Sequence, residues 1–467
     1  VAITVDCPHC GEKLHVKEEF AGRKGKCPKC RESFQVPPRG HEANGSRSAA
    51  PPQPALHSED ARQQVLDCFR GNIVPPRVSW IRKLATLVVA IIVCILPLFY
   101  VAALVAVVLG MIWLATSESG AQFHPVLFWI AQISGGLVLV CLLKPFVEPR
   151  RKMVETYLLS SGKEPVLVEF AGRICEQVNA APPTIIQTEC STRLAAEYRR
   201  GMLGLVQRDT VLTIGLPLIA SLSSEQLAAL MACQMAQFRR HAGCRTMNFI
   251  RSINGWLWRS VFEDGQFDAW LARVAARPHF HWAKLLLPLW GARLVAQAVL
   301  FVPMFLGNTV ASSLVRKAEL DADRAAARLV GRQTFASLLT HVGVIEFTWQ
   351  GVLAELEFLH GEQQLPDSLP RQLALRMLDV TPELSAALHD GIANPEQKPF
   401  DSRPNEGERL NAVSGESDNA VFSCPVPARA ILADFEGMAR QMTWDYYVAM
   451  FGPQRLKHAL KAVELST

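Results

Sequence analysis

No internal repeat runs through the 467 residues, which argues against a solenoid or a propeller. Charge of either sign is not in excess. Lys and Arg number 48 against 43 Asp and Glu, a formal net charge of +5, which excludes a dedicated nucleic-acid binder. A disulfide framework is also missing. Of the 12 cysteines, those at 68, 94, 141, 175, 190, 233, 244 and 424 are scattered without paired spacing. That excludes a secreted disulfide scaffold and fits a reducing compartment. Large apolar residues are sparse over 37–79, where Pro37-Pro38, Pro51-Pro52, Pro54 and Pro75-Pro76 sit among Gly, Ser, Ala and charge. Such a composition cannot bury a core, so 38–79 is expected to be a disordered linker. The length leaves room for two or three domains around it.

The remaining four cysteines do form a pattern. Cys7-Pro-His-Cys10 and Cys27-Pro-Lys-Cys30 read CxxC-x16-CxxC, the spacing of a four-cysteine zinc site. Two such knuckles close around one tetrahedral ion, with no position left open for catalysis. About forty residues cannot build an adequate apolar core, so the metal must supply the folding energy. With Gly11 after the first knuckle and Phe20-Ala-Gly-Arg-Lys-Gly-Lys26 before the second, residues 1–37 resemble the zinc ribbon that opens many bacterial membrane proteins. Residues 1–47 hold nine Lys and Arg against six Asp and Glu, a solvated surface rather than a nucleic-acid interface.

Two uncharged apolar runs follow, Leu84–Leu114 and Pro125–Leu143. The second, at 19 residues, matches a bilayer core of about 30 Å. The first, at 31, is too long for one upright span and is expected to tilt or kink at Pro97. Together 80–149 reads as a transmembrane hairpin. Its loop, Ala115–His124, holds no Lys or Arg, whereas Arg77, Arg82 and Lys83 precede the pair and Lys144, Arg150, Arg151 and Lys152 follow it. The positive-inside rule then places both termini in the cytoplasm and the chain in the inner membrane. A third run, Leu294–Val315, is broken by Gln297, Pro303, Asn308, Ser312 and Ser313. Its neighbour Met247–Phe262 carries Arg251 and Arg259, which counts against that stretch as a second span. Residues 285–315 are therefore expected to lie in or against the membrane, packed under the domain.

The densest chemical signal is Ser221-Leu-Ser-Ser-Glu-Gln-Leu-Ala-Ala-Leu-Met-Ala-Cys-Gln-Met-Ala-Gln-Phe238. Ser223 and Gln226 have capping-box spacing, and Leu222 and Leu227 flank them as a hydrophobic staple. No Gly or Pro interrupts 224–238, so a helix is expected there, with Leu227, Leu230, Met231 and Gln234 at helical spacing. In an HExxH helix, two His four apart hold zinc and the Glu between them takes a proton from the bound water. Here those positions are Cys233, Gln234 and Gln237. Gln234 has no basic group, a loss that costs about 10²–10⁴ in rate. Gln237 offers an amide where an imidazole is needed. The bland alternative is an amphipathic helix near the membrane with Cys233 as a small buried residue.

The frame around these positions resembles the HtpX and CAAX-prenyl-protease type of membrane zinc metallopeptidase. Arg199–Ala220 is similar to that family's strand segment leading into its protease helix, which puts a small sheet near Thr184–Gln187 and Thr210–Ile214. Arg316-Lys-Ala-Glu-Leu-Asp-Ala-Asp-Arg324 is similar to its Glu-x-x-x-Asp motif, so Glu319 and Asp323 are the retained positions. Phe400-Asp-Ser-Arg-Pro404 with Arg409 resembles a Ser/Thr-His-Pro segment with a downstream Arg, the His having become Arg403. The likeness implies a mainly helical, gluzincin-like domain over 150–467, in which Cys233, Gln237 and Glu319 converge. It leaves three readings. One is a catalytically inactive pseudoprotease, without catalytic zinc, that binds a peptide or membrane partner, scaffolds or regulates. The second is an active zinc endopeptidase using an atypical ligand set such as Cys233 with Glu319. In the third the ribbon is the functional reader and the remainder an anchor. The bland reading of Glu319 and Asp323 is a solvated or salt-bridged helix face.

Overall fold

The computed structural model describes residues 2–6, 13–17, 24–26, 33–35, 64–74, 79–117, 124–147, 156–160, 162–199, 209–240, 242–262, 287–381, 383–384 and 403–452. The chain divides into two units, 1–56 and 57–467. In the first, β1 (Ala2–Asp6) pairs antiparallel with β2 (Lys13–Lys17), and β3 (Lys24–Lys26) pairs antiparallel with β4 (Ser33–Gln35). In sequence, one CxxC falls between the strands of each hairpin; Cys7, Cys10, Cys27 and Cys30 themselves lie outside the described residues.

The second unit is mainly helical with one small sheet. Its strands are β5 (Tyr157–Leu159), β6 (Ile185–Glu189), β7 (Leu194–Tyr198) and β8 (Thr210–Gly215), in spatial order β5-β6-β8-β7. Alternation sets which face is buried: Ile186 and Thr188 on β6, and Thr210, Leu212 and Ile214 on β8, point into the core. β6 and β8 run parallel, and β7 returns antiparallel to β8 as an edge strand. The strands expected near 184–187 and 210–214 are these two.

Among the described residues three helices are long and apolar enough to cross a membrane: α1 (Trp80–Thr116), α2 (Pro125–Val147) and most of α7 (Leu287–Val330). Pro97 sits inside α1 without ending it. Between α2 and α7 come α3 (Pro165–Gln177), α4 (Leu216–Ser221), α5 (Ser224–Ala236) and α6 (Ala242–Phe262). After α7 come α8 (Arg332–Gly361), α9 (Leu369–Leu378), α10 (Glu406–Val413) and α11 (Phe435–Phe451). Gly331 makes the break between α7 and α8. Its φ of 87° is open to glycine, and a Cβ there would lie 2.9 Å from the Asp418 carbonyl oxygen.

Two apolar cores result. One joins α1, α2, α6 and α7 through residues such as Val93, Tyr100, Leu142, Ile250, Ile253 and Leu300. The other joins the sheet to α3, α5, α8 and the C-terminal part of α7 through Phe170, Ile174, Leu212, Met231, Ala326 and Phe335. The 44-residue α7, about 66 Å long at ~1.5 Å per residue, belongs to both.

Two expectations need correction. The run Leu294–Val315, expected as a membrane-associated helix over 285–315, is helical but the helix does not stop there. It is part of one continuous helix that packs beside α1, α2 and α6 and then enters the domain core, because helix-forming Lys, Ala, Glu, Leu and Arg continue past Val315. The stretch 64–74 is not linker. Val65, Leu66 and Ile73 are buried in the domain core, Phe69 rests on Phe170 and Phe422, and the Arg70 N–H donates to the Val421 carbonyl at 2.6 Å. Four apolar side chains in a short segment suffice to dock it, although the average composition around them is that of a loop.

Candidate functional site

The site is built on α5. Ser223 closes a reciprocal capping box with Gln226: the Gln226 N–H donates to Ser223 Oγ at 3.2 Å, and the Ser223 N–H donates to Gln226 Oε1 at 3.1 Å. The Ser224 hydroxyl donates to the Cys424 carbonyl at 2.7 Å and fixes the helix start to the C-terminal segment. Beyond this cap the helix is buried nearly all round, through Leu227, Ala228, Ala229, Met231, Ala232, Met235 and Ala236. It is thus a core helix rather than the plain amphipathic helix of the bland alternative, although Cys233 is the small buried residue which that alternative has there. It also ends two residues earlier than the Gly- and Pro-free stretch allows. Gln237 is its C-cap, so the Gln237 side chain leaves from the helix end rather than from its flank.

α7 brings the second set of residues. Its buried Ala322, Ala325 and Ala326 pack in the same core as the alanines of α5, and small side chains let the two backbones approach closely. Cys233, 5 % exposed, donates its S–H to Asp323 Oδ1 at 3.5 Å. Burial pushes the thiol well above its usual range, and the Asp323 charge pushes the same way, so Cys233 is a neutral donor near pH 7. Asp323 is 2 % exposed and is satisfied from the other side. Arg409 on α10 grips it with two parallel bonds, Nε to Oδ2 at 2.9 Å and Nη2 to Oδ1 at 2.8 Å. Burial works against the Arg409 charge, but the bonds and charge of Asp323 outweigh it, and the guanidinium pKa is raised. Its plane also lies 5.9 Å from the centre of the Phe335 ring.

Glu319, one helical turn before Asp323, meets a different cation. Arg251 of α6 stands 3.5 Å from Glu319 Oε1, donates to Gln237 Oε1 and reaches the Val315 carbonyl at 3.5 Å. One guanidinium therefore ties α5, α6 and α7 together. Asn248, a turn earlier on α6, donates to the Gln237 carbonyl at 3.0 Å.

These groups face a cavity of about 450 Å³ whose lining includes Cys233, Gln234, Gln237, Glu319, Asp323, Arg403 and Arg409. Its other wall is β7, from Leu194 to Glu197, with Arg193 at its start. A second cavity of about 490 Å³ adjoins it, sharing Ala196, Glu197, Gln237, Arg251 and Arg403, and extends past Tyr198 and Ser252 to Trp256 and Arg259. Every position singled out from the sequence in this domain thus meets at one place: Cys233, Gln234, Gln237, Glu319, Asp323, Arg403 and Arg409. Glu319 and Asp323 form a salt-bridged face, as the bland reading has it, but Asp323 is buried rather than solvated.

The donor set does not fit a catalytic zinc ion. The thiol is bonded to Asp323, the two amides carry no charge, and the Arg251 guanidinium occupies the gap between Gln237 and Glu319, where it repels a dication. Among the described residues no three His, Cys, Asp or Glu side chains stand together as a metal site. In the structure the Cys233 thiol is directed to Asp323 and Glu319 to Arg251. What the arrangement offers instead is hydrogen bonding and charge along an edge strand.

Arg251 and β7 are the parts of the site that sequence reasoning missed. An arginine inside a largely apolar helix beside membrane-length segments is itself a signal of function. In the sequence alone it counts only against Met247–Phe262 as a span. No protein-family model, curated protein or solved structure matches the chain.

Proposed function

We propose that this chain is a membrane-anchored pseudoprotease: a metallopeptidase-like body that binds a peptide in the cavity beside β7 without hydrolysing it, and so scaffolds or regulates a partner. The observation that carries the reading is Arg251. Its guanidinium links Gln237 and Glu319, the positions that resemble zinc ligands, by the kind of charge-assisted contacts a metal would otherwise supply. A protein fixed in this way has exchanged a reactive ion for a permanent cation. With no base at Gln234 and no metal to activate water, the cavity can hold a chain but cannot cut it.

The rest of the molecule serves that role in this reading. Cys7, Cys10, Cys27 and Cys30 hold one structural zinc, supported by their spacing and by the two hairpins around them. The apolar helices α1, α2 and α7 cross the inner membrane. Both termini lie in the cytoplasm in this reading, which requires an even number of crossings, and α6 packs against α7 as its partner in the bundle. That pairing is supported by Asn254 donating to the Gly307 carbonyl at 3.0 Å and Gln297 donating to the Val261 carbonyl at 3.1 Å.

The test is hydrolysis. Purified protein should cleave casein or peptide libraries no faster than its Glu319→Ala variant. Gln234→Glu alone should not help. Cys233→His, Gln234→Glu and Gln237→His together should restore at most weak, zinc-dependent cleavage, because Arg251 and Arg403 remain. Chelator-sensitive proteolysis by the unmodified protein, lost in Glu319→Ala, would establish the atypical zinc peptidase instead.

A further inference from the structure

The occupant of the groove can be specified further, and the specification rests on the peptide-binding reading above. β7 is the outermost strand of the order β5-β6-β8-β7, and among the described residues no strand pairs with its free edge. Both cavities run along it. The side chains at its middle, Ala195 and Ala196, are small and leave the backbone within reach. An exposed edge of this kind accepts an added strand through main-chain hydrogen bonds. Its five residues, about 17 Å at ~3.3 Å each, match an extended segment of about five residues.

Charge selects among such segments. Among the described residues the two cavities are lined by Arg193, Arg251, Arg403 and Arg409, by Arg259, which has a contact of its own, and by Glu197, Glu319 and Asp323. Each carboxylate already has its guanidinium: Glu197 has Arg193 at 2.7 Å, Glu319 has Arg251, and Asp323 has Arg409. Arg403 is exposed, lines both cavities and makes no hydrogen bond or salt bridge among the described residues. Its charge is felt by Glu319, which Arg251 holds. Among the described residues Arg403 is therefore the cation that the groove's own carboxylates leave over, and it lies where the two cavities meet.

We propose that the groove takes an extended acidic peptide, laid along β7 with an Asp or Glu side chain delivered to Arg403. The planar guanidinium suits a carboxylate in two-point contact, and small neighbours leave room for it. An anionic lipid headgroup would satisfy the arginines but would leave the strand edge unused.

The experiment uses the full chain in nanodiscs of neutral phosphatidylcholine and fluorescein-labelled Ala-Val-Glu-Val-Ala, with Gln and Lys versions, read by anisotropy. A benzoylphenylalanine in place of the first Val allows crosslinking to β7. The Glu peptide should bind about tenfold or more tightly than the Gln peptide. The gap should close in Arg403→Ala, persist in part in Arg403→Lys and narrow at about 0.5 M salt. Equal binding of the Glu and Gln peptides with crosslinks on β7, or a preference that survives Arg403→Ala, would overturn the acidic selection and leave the peptide-binding reading standing. Failure of all three peptides to bind would overturn both. So would binding confined to nanodiscs or vesicles carrying phosphatidylglycerol headgroups in their place.

Discussion

The two halves of α7 obey different rules. Along its N-terminal half Leu294 is 64 % exposed and Val295, Phe301, Val302 and Leu306 also stay uncovered. Along its C-terminal half Ala325, Ala326, Ala327 and Leu329 are at most 1 % exposed. In water the first pattern is an apolar patch that should be hidden, whereas against lipid it costs nothing. Cohesion differs accordingly. In the bundle, polar side chains bind neighbouring backbones: Asn254 to Gly307, Gln297 to Val261, and the Tyr100 hydroxyl to Leu142. In the domain, close packing of alanines does the work, and ion pairs gather where the core opens. The site lies at the change of regime. Val315 ends the apolar run, and Glu319 and Asp323 follow on the next two turns. Arg82 of α1 pairs with Asp321 at the same level and joins the bundle to the domain.

Substitutions on either side of that boundary should behave differently. The largest effect is expected at Asp323→Ala, which removes a buried carboxylate and leaves the Arg409 guanidinium without its partner; it costs about 3 kcal/mol, the low end for a buried pair because Arg409 is 30 % exposed. It should appear as faster hydrogen exchange in α5 and α10 with the bundle unaffected, and Asp323→Asn with Arg409→Met should recover most of the loss. Next come two overpacking changes of about 1–3 kcal/mol each. Ala326→Leu forces a larger side chain into the domain core. Gly307→Ala brings a Cβ to 2.6 Å from Asn254 Oδ1 and 2.7 Å from Leu96 Cδ1, so its damage should be confined to the bundle. If Gly307→Ala instead loosened α5, the two halves would not be separable. Ser223→Ala removes half of the capping box and should cost about 1 kcal/mol in denaturant unfolding.

Smallest at neutral pH, and absent there, is the contribution of Cys233 ionisation. The folded thiol pKa is raised well above 9.0, so the stability linked to it is complete below pH 9 and is lost as pH rises beyond that value. Unfolding free energy should fall from pH 9 upward in the wild type and fall less steeply in Cys233→Ala. In the native protein at pH 8 iodoacetamide should spare Cys233 and label it only after denaturation.

The sequence showed local structure well. Ser223, Gln226, Leu222 and Leu227 announce the start of α5 because a cap and a staple are contacts within one turn. The strands Ile185–Glu189 and Thr210–Gly215 are implied by the resemblance, and their β-branched residues suit a half-buried sheet. The apolar lengths of α1 and α2 speak through hydropathy alone. The rest depends on contacts between distant residues. Arg251 acquires its meaning from Gln237, 14 residues away, and from Val315, 64 away. The docking of 64–74 rests on Phe69 meeting Phe170 and Phe422, which no window average reveals. The true extent of α7 was hidden because hydropathy changes at Val315 while helix propensity does not. For the candidate site, the residue types were readable one by one, and their meeting was implied only by resemblance. The pairing that decides the chemistry, with Arg409 on Asp323 and Arg251 on Glu319, was not readable.

Zinc content of the purified full chain, measured by elemental analysis against protein concentration, tests the central claim most directly. One zinc per chain is expected, lost in Cys7→Ser and Cys27→Ser and untouched by Glu319→Ala. Two per chain, with one surviving Cys7→Ser and vanishing in Glu319→Ala, would contradict it and make the cavity beneath β7 a metal centre.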